Sequence, residues 1–270
     1  MLESLDAFPW MLDLVAVLWG LILGSFLNVC IHRLPRELSI VRPRSCCPSC
    51  NQTIAWFDNI PLVSYLLLRG NCRHCGVRIP IRYPAIEAAT GLVSWLVFHR
   101  FGLGPTYFVY FFYGASLLAV SVIDLEHRII PDEISLSGIV IGLVLAALTP
   151  VVAILDGIPF LDSLIGLLVG GGSLLLLGMA YEAVRKQEGI GGGDIKLLAM
   201  IGAFTGWKGV LFTVFGGSLF ASVVGITFMV VRRTNGQVPI PFGPFLSGAS
   251  FVYVLAGDRL LQAYWSMLHT

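Results

Sequence analysis

Charge is what this sequence has least of. Asp, Glu, Lys and Arg make up 12% of its 270 residues, about half the fraction of an ordinary soluble domain. A chain so poor in charge cannot clothe a water-facing surface, and a large soluble enzyme domain is excluded. The first 32 residues hold no Lys or Arg, only Glu3, Asp6 and Asp13. A secretory signal opens with a basic segment, so none is expected here. No repeat of 20–50 residues and no low-complexity tract is present. The formal net charge of +1 says nothing by itself about nucleic acid, and no nucleic-acid partner is expected.

What the chain has in abundance is apolar sequence: 56% of residues are hydrophobic and the mean hydropathy is +0.84. Apolar runs lie near 10–31, 84–99, 106–123, 134–155, 161–184, 195–206, 209–231 and 238–257. Most are long enough to cross a hydrocarbon layer of about 30 Å as a helix. The expected fold is therefore an all-α polytopic membrane protein with about eight transmembrane helices. The sixth run is short and is joined to the seventh through Gly206-Trp207-Lys208-Gly209, as a tilted or half-depth helix would be. The loops on the side reached after the first span carry fourteen Lys and Arg, among them Arg33, Arg44, Arg69, Arg128, Lys196 and Arg233. The other side keeps Arg100, Lys208 and Arg259. The positive-inside rule makes the first side cytoplasmic and places both termini outside.

The one sizeable polar stretch, 32–83, divides the chain into a first transmembrane helix (1–31), a cytoplasmic insertion (32–83) and a membrane core (84–270). Small insertions of this kind often need a metal or disulfide staple. Here Cys47-Pro48-Ser49-Cys50 and Cys72-Arg73-His74-Cys75 are separated by 21 residues. Two such knuckles offer four thiolates, the pattern of a structural zinc ribbon. Gly76 suits the tight turn after the second knuckle. Disulfides or redox-active pairs are the alternative, and a reducing cytosol argues against disulfides. Four thiolates close the coordination sphere, so a zinc held there would shape the insertion and do no chemistry. Cys46 and His74 fall outside the ligand spacing, and Cys30 reads as a small buried apolar residue.

Two acids stand out from the rest. Asp124 closes the third span, and Asp194 opens the sixth after Gly189-Ile190-Gly191-Gly192-Gly193. By the orientation above both lie at the cytoplasmic rim. An ionisable group at membrane depth points to function, although a solvated loop ending in an N-cap aspartate is the plainer reading of Asp194 alone. As a pair, one ionised and one protonated carboxyl can activate water and polarise a carbonyl, which is the chemistry of amide hydrolysis. Asp132 and Glu133 read as helix-start charges, Glu126 and Arg128 as solvated groups, and His127 as a surface histidine. Glu87, one turn into the second span, reads as an interior polar contact.

These residues together resemble a known family. Asp124 followed by His127-Arg128-Ile129-Ile130-Pro131-Asp132, with Gly191-Gly192-Gly193-Asp194, is similar to the type IV prepilin peptidases. So are Gly24-Ser25-Phe26-Leu27-Asn28-Val29 with Arg33-Leu34-Pro35, the knuckled insertion, Arg82-Tyr83-Pro84 with Glu87, and Pro241-Phe242-Gly243-Pro244-Phe245. The resemblance covers nearly the whole chain. It implies a bifunctional enzyme of the bacterial inner membrane, with Asp124 and Asp194 catalytic. Its partners would be membrane lipid and a prepilin or pseudopilin precursor, cut after a glycine that follows a short basic leader. It also implies methylation of the new N-terminus from S-adenosylmethionine. The polar insertion is the expected place for that step, with no ligand-binding side chain identified. No strand-linked glycine fingerprint for a nucleotide is present, and Gly170-Gly171-Gly172 reads as a helix-packing stripe. Two other functions compete on the residues alone: an ion-coupled transporter whose acids bind cations, and a membrane scaffold whose zinc loop binds partners.

Overall fold

The computed structural model describes residues 9–149, 155, 157–186, 191–232 and 240–268. Glu3, Asp6, Glu188, Gly189, Ile190, Arg233 and the outer ends of the 134–155 and 238–257 runs lie outside the described residues. Among the described residues the fold is all-helical, without a strand. The long helices are α1 (Pro9–Arg33), α3 (Arg82–Phe101), α4 (Pro105–His127), α5 (Asp132–Leu148), α6 (Phe160–Arg185), α7 (Gly192–Arg232) and α8 (Gly243–Leu268); α2 (Val63–Leu67) is a short turn inside the insertion. Among the described residues four stretches are long and apolar enough to cross a membrane: Trp10–Arg36, Pro105–His127, Phe160–Arg185 and Gly192–Val231. The chain forms two compact units, Met1–Tyr107 and Phe108–Thr270.

In the first unit α1 packs along α3. Small side chains let the backbones approach: a Cβ at Gly20 would lie 2.8 Å from the Cα of Gly91. Ser94 donates to the carbonyl of Ala16 at 2.5 Å, satisfying a buried hydroxyl across the helix pair. Asn28 donates to the carbonyl of Tyr83 at 3.0 Å. The insertion is tied to this pair by Glu87, whose Oε2 accepts the amide of Leu62 at 2.9 Å. Leu62 sits at a φ of 58°, so the anchored amide is also the point where the chain turns into α2. Glu87 is thus a structural clamp, and its carboxylate caps a backbone donor that burial would otherwise leave unpaired.

The second unit is built around the start of α7. From Leu197 to Phe204 nearly every side chain is buried, as expected for a helix that is apolar on all faces. Gly166 of α6 and Gly202 of α7 meet backbone to backbone, and Gly170 lies on the carbonyl of Leu198. Of the Gly170-Gly171-Gly172 stripe, Gly170 and Gly171 are therefore a packing surface, while Gly172 faces open space. On another side Gly138 and Gly142 of α5 receive Met200 and Ala203. Tyr113 of α4 stacks on Phe204 at 4.5 Å and exchanges a 2.6 Å hydrogen bond with Ser250 of α8.

α7 is not one rod. Gly206 has φ 67° and ψ −179°, outside the helical region, a conformation open to glycine and costly for other residues. Before it, Gly170, Gly166 and Gly206 succeed one another against Leu198, Gly202 and Asp162 in antiparallel order. After it, Gly209, Gly216 and Gly217 meet Tyr253, Ala249 and Phe245 of α8, again antiparallel. The chain therefore reverses at Gly206, and α7 consists of two limbs running in opposite directions. The first limb, 192–205, spans about 21 Å, less than a hydrocarbon layer, and the second, 207–232, about 39 Å.

Candidate active site and cysteine cluster

The reversal at Gly206 brings the starts of α7 and α8 to the same end of the second unit as the end of α4. α4 runs through Asp124 to His127, where Arg128 adopts a left-handed φ of 58° and its amide bonds the carbonyl of Asp124 at 2.9 Å. This is an αL cap, which stops the helix and turns the chain toward Pro131. Asp124 therefore lies in the last turn of the helix, not beyond it. It is 6% exposed, and one of its oxygens accepts the amide of Gly243 at 3.0 Å. The first residue of α8 thus holds the carboxylate with a helix-terminal N–H, a donor with no partner in its own helix.

Asp194 is half-buried in the first turn of α7. Its amide bonds the carbonyl of Gly191 at 3.1 Å. Gly193 packs on the side chain of Ile130, where a Cβ would come within 3.0 Å, so the two aspartate-bearing motifs are in direct contact. Asp124 and Asp194 are near enough for the charge of one to act on the other. Arg128 also acts on Asp124. Beside them Lys196 pairs with Asp132 at 2.7 Å, joining α7 to the start of α5. Two carboxyls from α4 and α7, next to one cation pair and one aimed amide, can hold a water and polarise an amide carbonyl. Asp132 is engaged by lysine, Glu133 and His127 are exposed, and Glu126 lies 4.0 Å from His127.

Gly243 is a partner of Asp124 that the sequence does not announce. It is separated from Asp124 by 119 residues, and only the folded helix ends join them. The signal available in the sequence is Pro241-Phe242-Gly243-Pro244, a break before a helix.

In the first unit Cys47, Cys50, Cys72 and Cys75 place their four Sγ atoms within 4.8 Å of one another. The two knuckles are built alike. Cys47 N–H bonds the carbonyl of Gln52 and Asn51 N–H returns to Cys47, both at 2.9 Å; Cys72 pairs with Val77 and Gly76 at 2.8 and 2.9 Å. Asn51 (φ 55°) and Gly76 (φ 69°) take the same left-handed position after the second cysteine. Asn tolerates that region better than most residues, and the Gly76 signal has its twin there. The amides of Cys50 and Ser49 point at the sulfur of Cys47 and lower its thiol to about 6. Those of Cys75 and His74 lower the thiol of Cys72 in the same way. At Cys75 the Val77 amide pulls down, but desolvation and three neighbouring sulfurs outweigh it and push the thiol up to about 11. Four thiols crowded this closely are a donor set that a soft divalent cation fits and that protons do not. No disulfide links any of them among the described residues. Cys46 and His74 are exposed and outside the cluster, and Cys30 is buried.

Comparison with known proteins accords with this geometry. Residues 18–101 match the bacterial peptidase A24 N-terminal domain, and residues 111–226 match the type IV leader peptidase family. A prepilin leader peptidase/N-methyltransferase of Pseudomonas aeruginosa is 36% identical, with 98% of this chain and 97% of the relative covered. This chain belongs to the type IV leader peptidase family. A relative of the same name from Neisseria gonorrhoeae is 33% identical over 97% of this chain and 96% of its own, and one from Aeromonas hydrophila is 34% identical over 98% and 97%. No solved structure matches. Nothing among these matches supports the transporter reading.

Proposed function

We propose that this chain is a membrane aspartic endopeptidase that removes the leader from prepilin or pseudopilin precursors and methylates the N-terminus it exposes. The observation that carries the reading is the meeting of Asp124 and Asp194 at one end of the second unit, where the starts of α7 and α8 converge on the end of α4. One carboxyl, ionised, takes a proton from water; the other, protonated, donates to the carbonyl of the scissile bond. Their protonation states are shared, so pH–rate profiles report the pair. The Gly243 amide fixes one oxygen of Asp124 and so the direction from which it meets water. Lys196, bound to Asp132, keeps a positive charge near the site without neutralising the dyad.

The excess of basic residues in the loops after the first span puts this end of the molecule at the cytoplasmic face. With α7 counted as two limbs, the long helices give eight crossings, and both termini lie outside the cytoplasmic membrane. Cys47, Cys50, Cys72 and Cys75 hold zinc, which shapes the insertion. S-adenosylmethionine supplies the methyl group when bound. Mass spectrometry of the N-terminus produced from a candidate precursor tests both activities at once. A product trimmed after glycine and heavier by one methyl group is expected. An intact precursor refutes the peptidase, and a trimmed but unmethylated product refutes the transferase.

A further inference from the structure

The insertion between α1 and α3 is polar by composition, yet its middle is not. Trp56, Phe57, Ile60, Val63, Leu66 and Leu67 are all exposed, Trp56 by 74%, Leu66 by 73% and Leu67 by 78%. They belong to one folded turn. The 3₁₀ turn Trp56–Asn59 and α2 are tied by Ser64, whose hydroxyl donates to the carbonyl of Phe57 at 2.7 Å. Within α2, Val63, Leu66 and Leu67 share a face by their spacing, while Ser64 is buried. A turn facing water rarely shows this much apolar surface without a partner. We propose that the partner is lipid: Trp56–Leu67 is a wedge set into the acyl–headgroup boundary of an anionic leaflet, the leaflet at which α1 ends and α3 begins.

The turn is pinned at membrane depth. The amide of Leu62 bonds Oε2 of Glu87 at 2.9 Å, and Ser25 bonds the same carboxylate. Ser25 lies six residues before Ile31, where the apolar run of α1 ends, and Glu87 lies three residues after Pro84, where that of α3 begins. At about 1.5 Å per residue these are depths of about 9 and 5 Å, and apolar faces of interfacial elements sit about 5–10 Å into a leaflet. Ile60 and Pro61 accordingly line one cleft with Ile22 and Phe26 of α1.

The backbone of the turn is also finished for a place without water, where irregular chain must find its hydrogen bonds within the protein. The amide of Ile60 bonds the Ser64 hydroxyl at 3.2 Å and that of Leu62 the Glu87 carboxylate. Those of Asp58, Val63 and Ser64 bond the carbonyls of Ala55, Pro61 and Ile60. Position 61 is proline and has no donor to satisfy.

Charge selects the occupant. Residues 32–83 hold eight arginines against Glu37 and Asp58, and Asp58 is taken by Arg73 at 2.6 Å. That surplus suits an anionic headgroup layer, and tryptophan is a residue type that favours the same layer. A second copy of the chain, or a basic leader, would bring like charge against these arginines.

The test uses the purified full-length protein in nanodiscs of phosphatidylcholine, with and without phosphatidylglycerol. The emission of Trp56 is the difference between wild type and Trp56→Phe, a change at an exposed ring. Brominated lipid should remove about half or more of that emission if the ring lies about 5–10 Å deep, and aqueous iodide should remove little. The lipid quenching should grow when phosphatidylglycerol is present. Leu66→Asp combined with Leu67→Asp should open Trp56 to iodide, with a thermal melt reporting an intact fold. A benzoylphenylalanine photo-probe in place of Leu67 should give lipid adducts. Trp56 emission open to iodide and untouched by brominated lipid in the folded wild type overturns the proposal, as does an adduct to a second copy or to a precursor. Quenching indifferent to phosphatidylglycerol overturns the choice of an anionic leaflet.

Discussion

Replacing Gly243 with alanine isolates the geometry of the dyad from its chemistry. A Cβ at this position would stand 2.6 Å from Oδ2 of Asp124 and 3.2 Å from its Cγ. Carbon and oxygen do not approach so closely, and the relief must come from whichever group yields. The Gly243 backbone opens α8, while the carboxylate swings on two torsions, so the carboxylate moves. The 3.0 Å bond from the Gly243 amide then lengthens or breaks. A misplacement of about 1 Å at a reacting group costs on the order of 100-fold in rate. Alanine is meanwhile a better helix former than glycine by about 1 kcal/mol, so the protein stays folded. The assay is kcat/KM for cleavage of a precursor in nanodiscs, beside a thermal melt. Cleavage reduced about 100-fold with an unchanged melt is expected. Activity within twofold of wild type would refute the contact as a determinant of the dyad.

Other perturbations probe the frame. One zinc per chain is expected, and Cys72→Ser should lose the metal and unfold the insertion, since apparent binding energies at such sites are about 10 kcal/mol; metal analysis and proteolysis of residues 34–81 check this. Gly202→Val should destabilise the second unit by at least the 1–3 kcal/mol of an overpacked core, because its Cβ would strike the backbone of Gly166; a denaturation series measures it. The Arg73 side chain, bonded to Asp58 at 2.6 and 2.8 Å, holds that carboxyl below its usual range. A depressed carboxyl adds stability above its unfolded value and loses it as pH falls through the folded one. The Arg73–Asp58 contribution to the insertion should thus be constant down to about pH 5 and be lost below about pH 4, and Asp58→Asn should remove that part of the decline.

The elements of the candidate site were legible because each is local. The cysteine spacing, the apolar runs and the two aspartates at run boundaries all lie within a few residues of their own signal. Gly206 was harder. Hydropathy shows a short run before it and a long one after it, but the direction of the second limb depends on a positive φ and on glycine contacts with α6 and α8. The span read as 106–123 continues to His127 because Arg128, a residue that hydropathy treats as a loop charge, supplies the αL cap. The last helix reaches Leu268 and not 257, since Asp258 and Arg259 break the apolar run without breaking the helix. Asn51 was invisible as a partner of Gly76 until the two knuckles could be compared. Glu87 showed itself as polar and interior, but its partner, the amide of Leu62, belongs to a distant turn.

The central claim is that Asp124 and Asp194 act as one unit on the scissile bond. Single-turnover cleavage by Asp124→Asn, by Asp194→Asn and by the double variant tests it most directly. Acid–base groups contribute about 10²–10⁴-fold each, and groups that act together do not lose rate additively. Each single variant should fall by at least about 1,000-fold, and the double variant should fall little further. Cleavage retained by either folded single variant would contradict the account.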